Sequence, residues 1–447
     1  LITWYLTLDH ISTRRERVRR AMGKLDDYLL EKVREHGRGG QTVTFIPEPE
    51  AEPLFCPIIS VDDHALEPAN LFEGRVPAKF KDKVPFLGPG ENGAPWWVID
   101  GVEVPILMVN GASGRPMEEW AIAAANFDEF RRAIWDPKAR LHDMDLTGVW
   151  AQLCFPSLIW GFAGWRFSKM SDPEVGLASL RAYNQWMIEE WCGTDRNRFL
   201  PCQLPWLADP EIAAKEIYAN AERGFTSVSF SENPEGLGYP NVYQRVWDPF
   251  FRACEETQTV VNLHVGSSGK SQVPSSSSAE EVTTALFPVS GLEALIDWVY
   301  SGVLFRFPHL KIALSEAGVS WVPMALERLR RAYRQTTGIG KGWPADHPEP
   351  TEIVRRNFCF TSIEDPSAFQ MLHLIGEDNV MVETDYPHYD STWPDSQAMI
   401  RGELQGLDAE LIRKLCYGNA SRIYRHPAPP DEMIARSEVG LPTPVAV

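Results

Sequence analysis

The chain has 447 residues, 44% apolar and 23% charged, enough for a large core in one big domain or two smaller ones. A net charge of −18 argues against a nucleic-acid or anionic-membrane surface, which needs an excess of Lys and Arg, and fits a soluble cytoplasmic protein. Seven scattered cysteines, an odd number without a C-x-x-C pair, argue against a disulfide framework or zinc ribbon, and no run approaches the ~18 apolar residues of a membrane span.

Residues 13–37 read as an amphipathic helix, capped by Ser12 or Thr13 and closed by Gly37. With the Pro/Glu-rich connector after it, the segment 1–50 is expected to be a helical arm suited to packing or oligomer contacts. From residue 51 short apolar strands alternate with longer helical segments. The strands are "CPIISVDDH", "GVWAQLCFPS", "RFLPCQLP", "FTSVSFSEN", "TVVNLHVGSS", "LKIALSEAG", "NFCFTSIED" and "NVMVETDYPH". An irregular Pro/Gly-rich insertion occupies 69–125, after the first strand, and a Ser/Gly-rich loop at 264–278 is expected over the barrel mouth. Strand–helix alternation over this length predicts α/β architecture: a distorted (β/α)8 TIM barrel over 51–430, followed by a tail at 431–447. Such a barrel gathers its site at the C-terminal ends of its strands.

Those ends carry Asp62, Asp63 and His64, then Glu67, on the first strand, His264 on the fifth, Glu316 on the sixth, and Asp385 with His388 on the eighth. Asp62 and His64 are two apart and share a face, whereas Asp63 points towards the helices. Imidazoles mixed with carboxylates suit Zn, Fe or Mn. Asp62, His64, Glu67, His264, Glu316, Asp385 and His388 are more donors than one ion takes, so two ions are expected, neutralising acids that otherwise repel one another. Glu383 faces the same side as Asp385 and is expected behind it, while His309 precedes its strand and is read as structural. Trp160, Phe162, Trp165 and Phe167 are candidates to line an apolar pocket, with plain packing as the alternative. No G-x-S-x-G, Walker A or H-E-x-x-H pattern is present.

"VDDHALEP", "NLHVGSS", "FPHLKIALSEAG", "ETDYPHYDSTWP" and "GNASRIY" resemble, in order, the amidohydrolase-related family, which includes the aminocarboxymuconate-semialdehyde decarboxylase type. The resemblance implies a distorted barrel with a divalent metal, Asp62 and His64 standing at the first-strand ligand positions, His264 at the central one and Asp385 at the last. It also exposes departures: Asp-x-His replaces His-x-His, and Glu316 stands where decarboxylase-like members carry a histidine. This pattern is similar to the family's dinuclear nonheme iron or Mn/Fe monooxygenases, so the leading expectation is O2-dependent C–H hydroxylation of a small or apolar substrate, with Fe/Fe or Mn/Fe, an external reductase, and Asp385, Glu316 and His388 at the reacting centre. A mononuclear Zn or Mn hydrolase or nonoxidative decarboxylase is the alternative, with Asp385 shuttling the proton. A non-catalytic metal-binding subunit of a hetero-oligomer is a third, and homo- or hetero-oligomers fit all three.

Overall fold

Proline and aspartate fix where several helices begin. Asp209 Oδ1 accepts hydrogen bonds from Glu211 N (2.9 Å) and Ile212 N (3.3 Å), and Pro210 takes the first helical position, where no N–H is needed. The helix Pro210–Arg223 then ends at Gly224, whose φ of +104° suits a residue without Cβ. Asp172 and Pro173 start Pro173–Trp186 in the same way. A computed structural model of the protein describes residues 43–441 apart from 91–94, 123–124, 271, 276, 280, 338–342 and 345, together with residues 31 and 33.

The strands in chain order are β1 (Ile58–Ala65), β2 (Phe86–Pro89), β3 (Pro95–Ile99), β4 (Val102–Pro105), β5 (Val149–Pro156), β6 (Phe199–Leu200), β7 (Cys202–Gln203), β8 (Ser227–Phe230), β9 (Val260–His264), β10 (Ile312–Ser315), β11 (Phe358–Ser362) and β12 (Val380–Val382). β1, β5 and β6 pair in parallel, as do β7 to β12 in sequence. β6 and β7 are one barrel strand interrupted at Pro201, which has no N–H for the ladder. Beyond β12 the chain returns to β1: Asp385 N donates to the Asp62 carbonyl (2.9 Å) and His64 N donates to the Tyr386 carbonyl (2.8 Å). The eight expected barrel strands are thus all present and closed into a distorted (β/α)8 barrel.

Strand β1 is irregular. Between Ser60 and Asp63 it runs one residue ahead of β5, a bulge of the kind that re-aims side chains at a barrel rim. The insertion holds the antiparallel sheet β2–β3–β4 and then folds over the barrel mouth. Tyr389 N donates to the Val109 carbonyl (3.1 Å), Ser113 N to Pro387 O (3.1 Å) and Ser113 Oγ to His388 O (3.2 Å). The inserted segment is therefore tied directly to the loop after β12.

Of the helix expected over 13–37, residues 31 and 33 are described, both helical; Val33 is buried against Trp96 and Leu107, and the rest lies outside the described residues. Within 431–440, Glu438 N and Val439 N donate to the Leu54 and Phe55 carbonyls (2.9 and 3.1 Å), so this stretch lies against the start of the barrel. Glu281–Tyr300, 20 residues with an 18-residue window of mean hydropathy 1.3, is by length and composition alone long and apolar enough to cross a membrane. Its apolar positions have another use here: Ala294, Leu295, Trp298 and Val299 bury one side in the core, and Phe287 reaches the cavity at the barrel mouth.

Candidate metal centre

Parallel pairing sets the site. Ser315 of β10 lies opposite His264 at the end of β9, which places Glu316 beside that histidine: His264 Nδ1 is 3.6 Å from Glu316 Oε2. Glu316 and Asp385 both have positive φ (59° and 47°), a conformation rarely held by residues other than glycine, and both turn a carboxylate into the mouth. Asp62, His64 and His264 lie within ligand distance of one another, and so do His64, Asp385 and His388. His64 Nε2 is 3.5 Å from Asp62 Oδ1, 3.3 Å from Asp385 Oδ1 and 3.2 Å from His264 Nε2; His264 Nε2 is 3.4 Å from Asp62 Oδ1.

Proton accounting shows what fits between these atoms. His64 Nδ1 faces the Pro156 carbonyl at 3.2 Å, and His264 Nδ1 faces the Val265 carbonyl at 2.7 Å. A carbonyl only accepts, so each Nδ1 carries the proton and each Nε2 presents a lone pair. Two lone pairs 3.2 Å apart cannot hydrogen-bond each other. Asp62 Oδ1 and Oδ2 and Asp385 Oδ1 are buried without any hydrogen-bond partner among the described residues. Donor atoms bound at ~2.1 Å to one ion stand roughly 3–3.4 Å apart, so the spacing suits a small divalent cation.

Electrostatics agree. Burial, then neighbouring acids, pushes Asp62, Asp385 and Glu316 well above the usual carboxylate range. Burial, then His388 and His264, pushes His64 well below its usual range, and burial takes His388 down to about 4. The ion pairs of Asp62, Glu316 and Asp385 among the described residues are all with histidines, none with Lys or Arg. A divalent ion removes both penalties at once.

A second group adjoins the first. Glu316, Asp385, His388 and Asp390 also place donor atoms within 4.8 Å of one another, sharing Asp385. His388 Nδ1 is 3.1 Å from Asp385 Oδ2, its ring stacks on His64 at 3.8 Å, and its Nε2 has no partner among the described residues. Sequence reasoning missed Asp390, although it lies in the quoted motif "ETDYPHYDSTWP", five residues after Asp385. Glu383 sits behind the group and accepts from Glu316 N at 3.3 Å. Asp63 points away, as its alternation predicts, accepting from Thr384 Oγ1 (2.5 Å) and Tyr386 N (3.0 Å). His309 lies exposed before β10, where its backbone N–H donates to Glu255.

Glu67 is the correction. It is fully buried but stands outside both donor groups: Ser157 N (2.9 Å) and Ser157 Oγ (2.5 Å), just after β5, each donate to its carboxylate. Pro68 turns the chain after one residue, so the side chain is taken up by the neighbouring strand end. Burial raises Glu67 to about 7. A carboxyl raised on folding stabilises least when ionised, so its contribution falls as pH rises from about 4.5 to 7, by up to ~3 kcal/mol. Glu67→Gln is therefore expected to flatten the stability–pH profile between pH 5 and 8 relative to wild type, read from urea midpoints.

A cavity of about 750 Å³ opens on Glu316 and His388. Its walls are mostly apolar, including Val109, Trp120, Ile122, Phe162 and Phe287, and Lys270 and Gln272 of the Ser/Gly-rich loop lie at its edge. Of the four aromatic candidates only Phe162 lines it, with its ring 4.0 Å from that of His264; Trp160, Trp165 and Phe167 are buried in the core.

Comparison with known proteins gives a consistent picture. The 2-amino-3-carboxymuconate-6-semialdehyde decarboxylase of Dictyostelium discoideum is 23% identical over 266 residues, covering 58% of this chain and 69% of that one. An amidohydrolase from Mycobacterium avium subsp. paratuberculosis K-10 superposes with a TM-score of 0.65 at 22% identity, over 83% of this chain and 99% of that one. The 5-carboxyvanillate decarboxylase of Novosphingobium aromaticivorans DSM 12444, solved with manganese and 4-hydroxy-3-methoxy-5-nitrobenzoic acid, gives a TM-score of 0.58 at 17% identity, over 86% and 100%. The sequence model of the Amidohydrolase family matches residues 95–426, starting within the insertion, so β1 with Asp62 and His64 precedes the match. That match spans most of the chain and seven of its eight barrel strands, and the chain belongs to the Amidohydrolase family.

Proposed function

We propose that this enzyme is a metal-dependent nonoxidative decarboxylase acting on an apolar carboxylic acid. One observation carries the reading: the lone pairs of His64 and His264 converge at 3.2 Å beside partnerless oxygens of Asp62 and Asp385, next to Glu316 and His388, which open on a mostly apolar cavity. These four residues would hold the ion, and manganese in the related 5-carboxyvanillate decarboxylase makes that metal the first to test. A bound divalent ion supplies positive charge against the substrate's carboxylate, where the described ion pairs offer no Arg or Lys.

The chain's own residues do the remainder. The apolar wall holds the substrate's body and excludes water. When the bond between carbon and carboxylate breaks, its electron pair stays on carbon and CO2 leaves. Carbon then takes a proton, and Glu316, which opens on the cavity, is placed to deliver it from a carboxyl oxygen. His388, fixed by Asp385, turns its free Nε2 to the same space and orients the reacting end. Glu316→Gln is expected to lower turnover about 100-fold with manganese content unchanged, measured by rapid-quench kinetics beside metal analysis.

The test is CO2 release by manganese-loaded protein under argon, in D2O, from a panel of aromatic and α,β-unsaturated acids. Release with one deuterium in the product supports the proposal. No release under argon, with a hydroxylated product once O2 is admitted, overturns it.

The Dictyostelium and Novosphingobium relatives are named as decarboxylases, and they support this reading over the expected C–H hydroxylation. One observation favours the second reading, a dinuclear oxygenase: the donor group of Glu316, Asp385, His388 and Asp390 is suited to a second ion. Two iron, or one iron and one manganese, per chain together with O2 consumption would favour it over decarboxylation.

A further inference from the structure

The insertion after β1 brings to the cavity a side chain that the chemistry above does not use. Asn110 lines the cavity and is 8% exposed, and its Nδ2 is buried without a hydrogen-bond partner among the described residues. A buried amide left unpaired is unfavourable, and a side chain in that condition beside a cavity suits a ligand that completes it. Its backbone is fixed against the reacting end: Val109 O accepts from Tyr389 N, and Ser113 Oγ donates to the His388 carbonyl. Nearby, Tyr389 OH and Thr284 Oγ1 share a hydrogen bond of 2.6 Å, and both residues line the same cavity. The polar spot so formed is set in a wall that is otherwise largely apolar.

We infer that Asn110 is a specificity-determining residue that hydrogen-bonds a hydroxyl or carbonyl oxygen carried by the substrate in addition to its carboxylate. The unpaired Nδ2 is a donor, so a hydroxyl or carbonyl oxygen can accept from it, whereas a hydrogen atom in that place leaves it unpaired. This rests on the decarboxylase reading only in assigning the carboxylate to the metal end.

The test uses calorimetric titration of the manganese-loaded full chain with 2-naphthoate and with its 1-, 3- and 6-hydroxy derivatives. At least one hydroxy acid is expected to bind wild type about tenfold more tightly than 2-naphthoate. Asn110→Ala is expected to remove that preference while leaving 2-naphthoate affinity within about twofold and manganese content unchanged. Equal binding of all four acids, binding of none, or a preference that survives Asn110→Ala overturns the inference. A preference that is lost in Asn110→Ala but does not depend on manganese upholds Asn110 and overturns the placement of the carboxylate at the metal.

Discussion

Replacing His264 with alanine is expected to leave a folded barrel that gains no thermal stability from manganese and turns over at least about a thousandfold more slowly. His264 ends β9 fully buried, and its Nε2 is the atom that closes on His64 and Asp62. Without the ring, the remaining donors no longer surround one point. Loss even of groups that merely support a metal ligand weakens binding by about 10–100-fold, and loss of a ligand costs more. An ion that binds only the folded chain stabilises it by ~2.7 kcal/mol at a concentration 100 times its dissociation constant, so wild type should melt several degrees higher with manganese than without it. The variant should melt at one temperature in both conditions. His309→Ala, an exposed change at the opposite end of a strand, should keep the wild-type shift. A His264→Ala protein that still binds manganese within tenfold of wild type would remove this residue from the centre.

The other large effect is expected at Arg140. Its guanidinium is fully buried behind β1, where it donates to the carbonyls of Ala133 (2.8 Å) and His64 (2.7 Å) and to Gln152 Oε1 (3.0 Å). It also lies over the Tyr386 ring at 4.4 Å and draws Asp63 back down against the burial that raises that acid to about 7. Arg140→Met leaves the Ala133 and His64 carbonyls and Gln152 Oε1 without this donor and removes the guanidinium's smaller electrostatic support of Asp63. Three buried acceptors that lose their charged donor cost about 3–5 kcal/mol together. Adding Asp63→Asn removes the acid that the guanidinium supports and should recover only the smaller, electrostatic part of that loss, because Asn can still accept from Thr384 and Tyr386. Urea midpoints of the two single variants and the double variant check both statements. If Arg140→Met costs less than about 1 kcal/mol, the guanidinium is solvated in a way this packing does not provide.

How much of this was legible in the sequence depends on the kind of signal. The barrel strands were, because each is a short apolar run bounded by helix-starting Asp-Pro pairs or closing glycines, and these act locally. Asp62, His64, His264, Glu316, Asp385 and His388 were found as a set because each closes, or closely follows, an apolar strand, and parallel strands in a barrel end on one rim. Glu67 was misplaced because its partner, Ser157, is 90 residues away and reached only through the β1–β5 pairing. Asp390 was missed because its direction follows from the loop after Asp385, whose left-handed backbone no periodicity encodes. Asn110 and Arg140 were missed for related reasons. Asn110 sits in an irregular insertion docked through backbone groups. Arg140 is indistinguishable in sequence from any charged helix position until the fold sets the His64 carbonyl against it.

The closure of the barrel between Asp62 and Asp385 has a consequence for when the enzyme can come alive during its synthesis. The first of these residues emerges from the ribosome more than 300 positions before the other, and the Leu54–Phe55 stretch waits longer still for Glu438 and Val439. A nascent chain stalled before β12 holds Asp62, His64 and His264 but no Asp385 to complete them. Capture of the ion is thus a maturation event that follows translation of β12 and its loop, and fragments stalled earlier carry an acid-rich rim that only this strand end can finish.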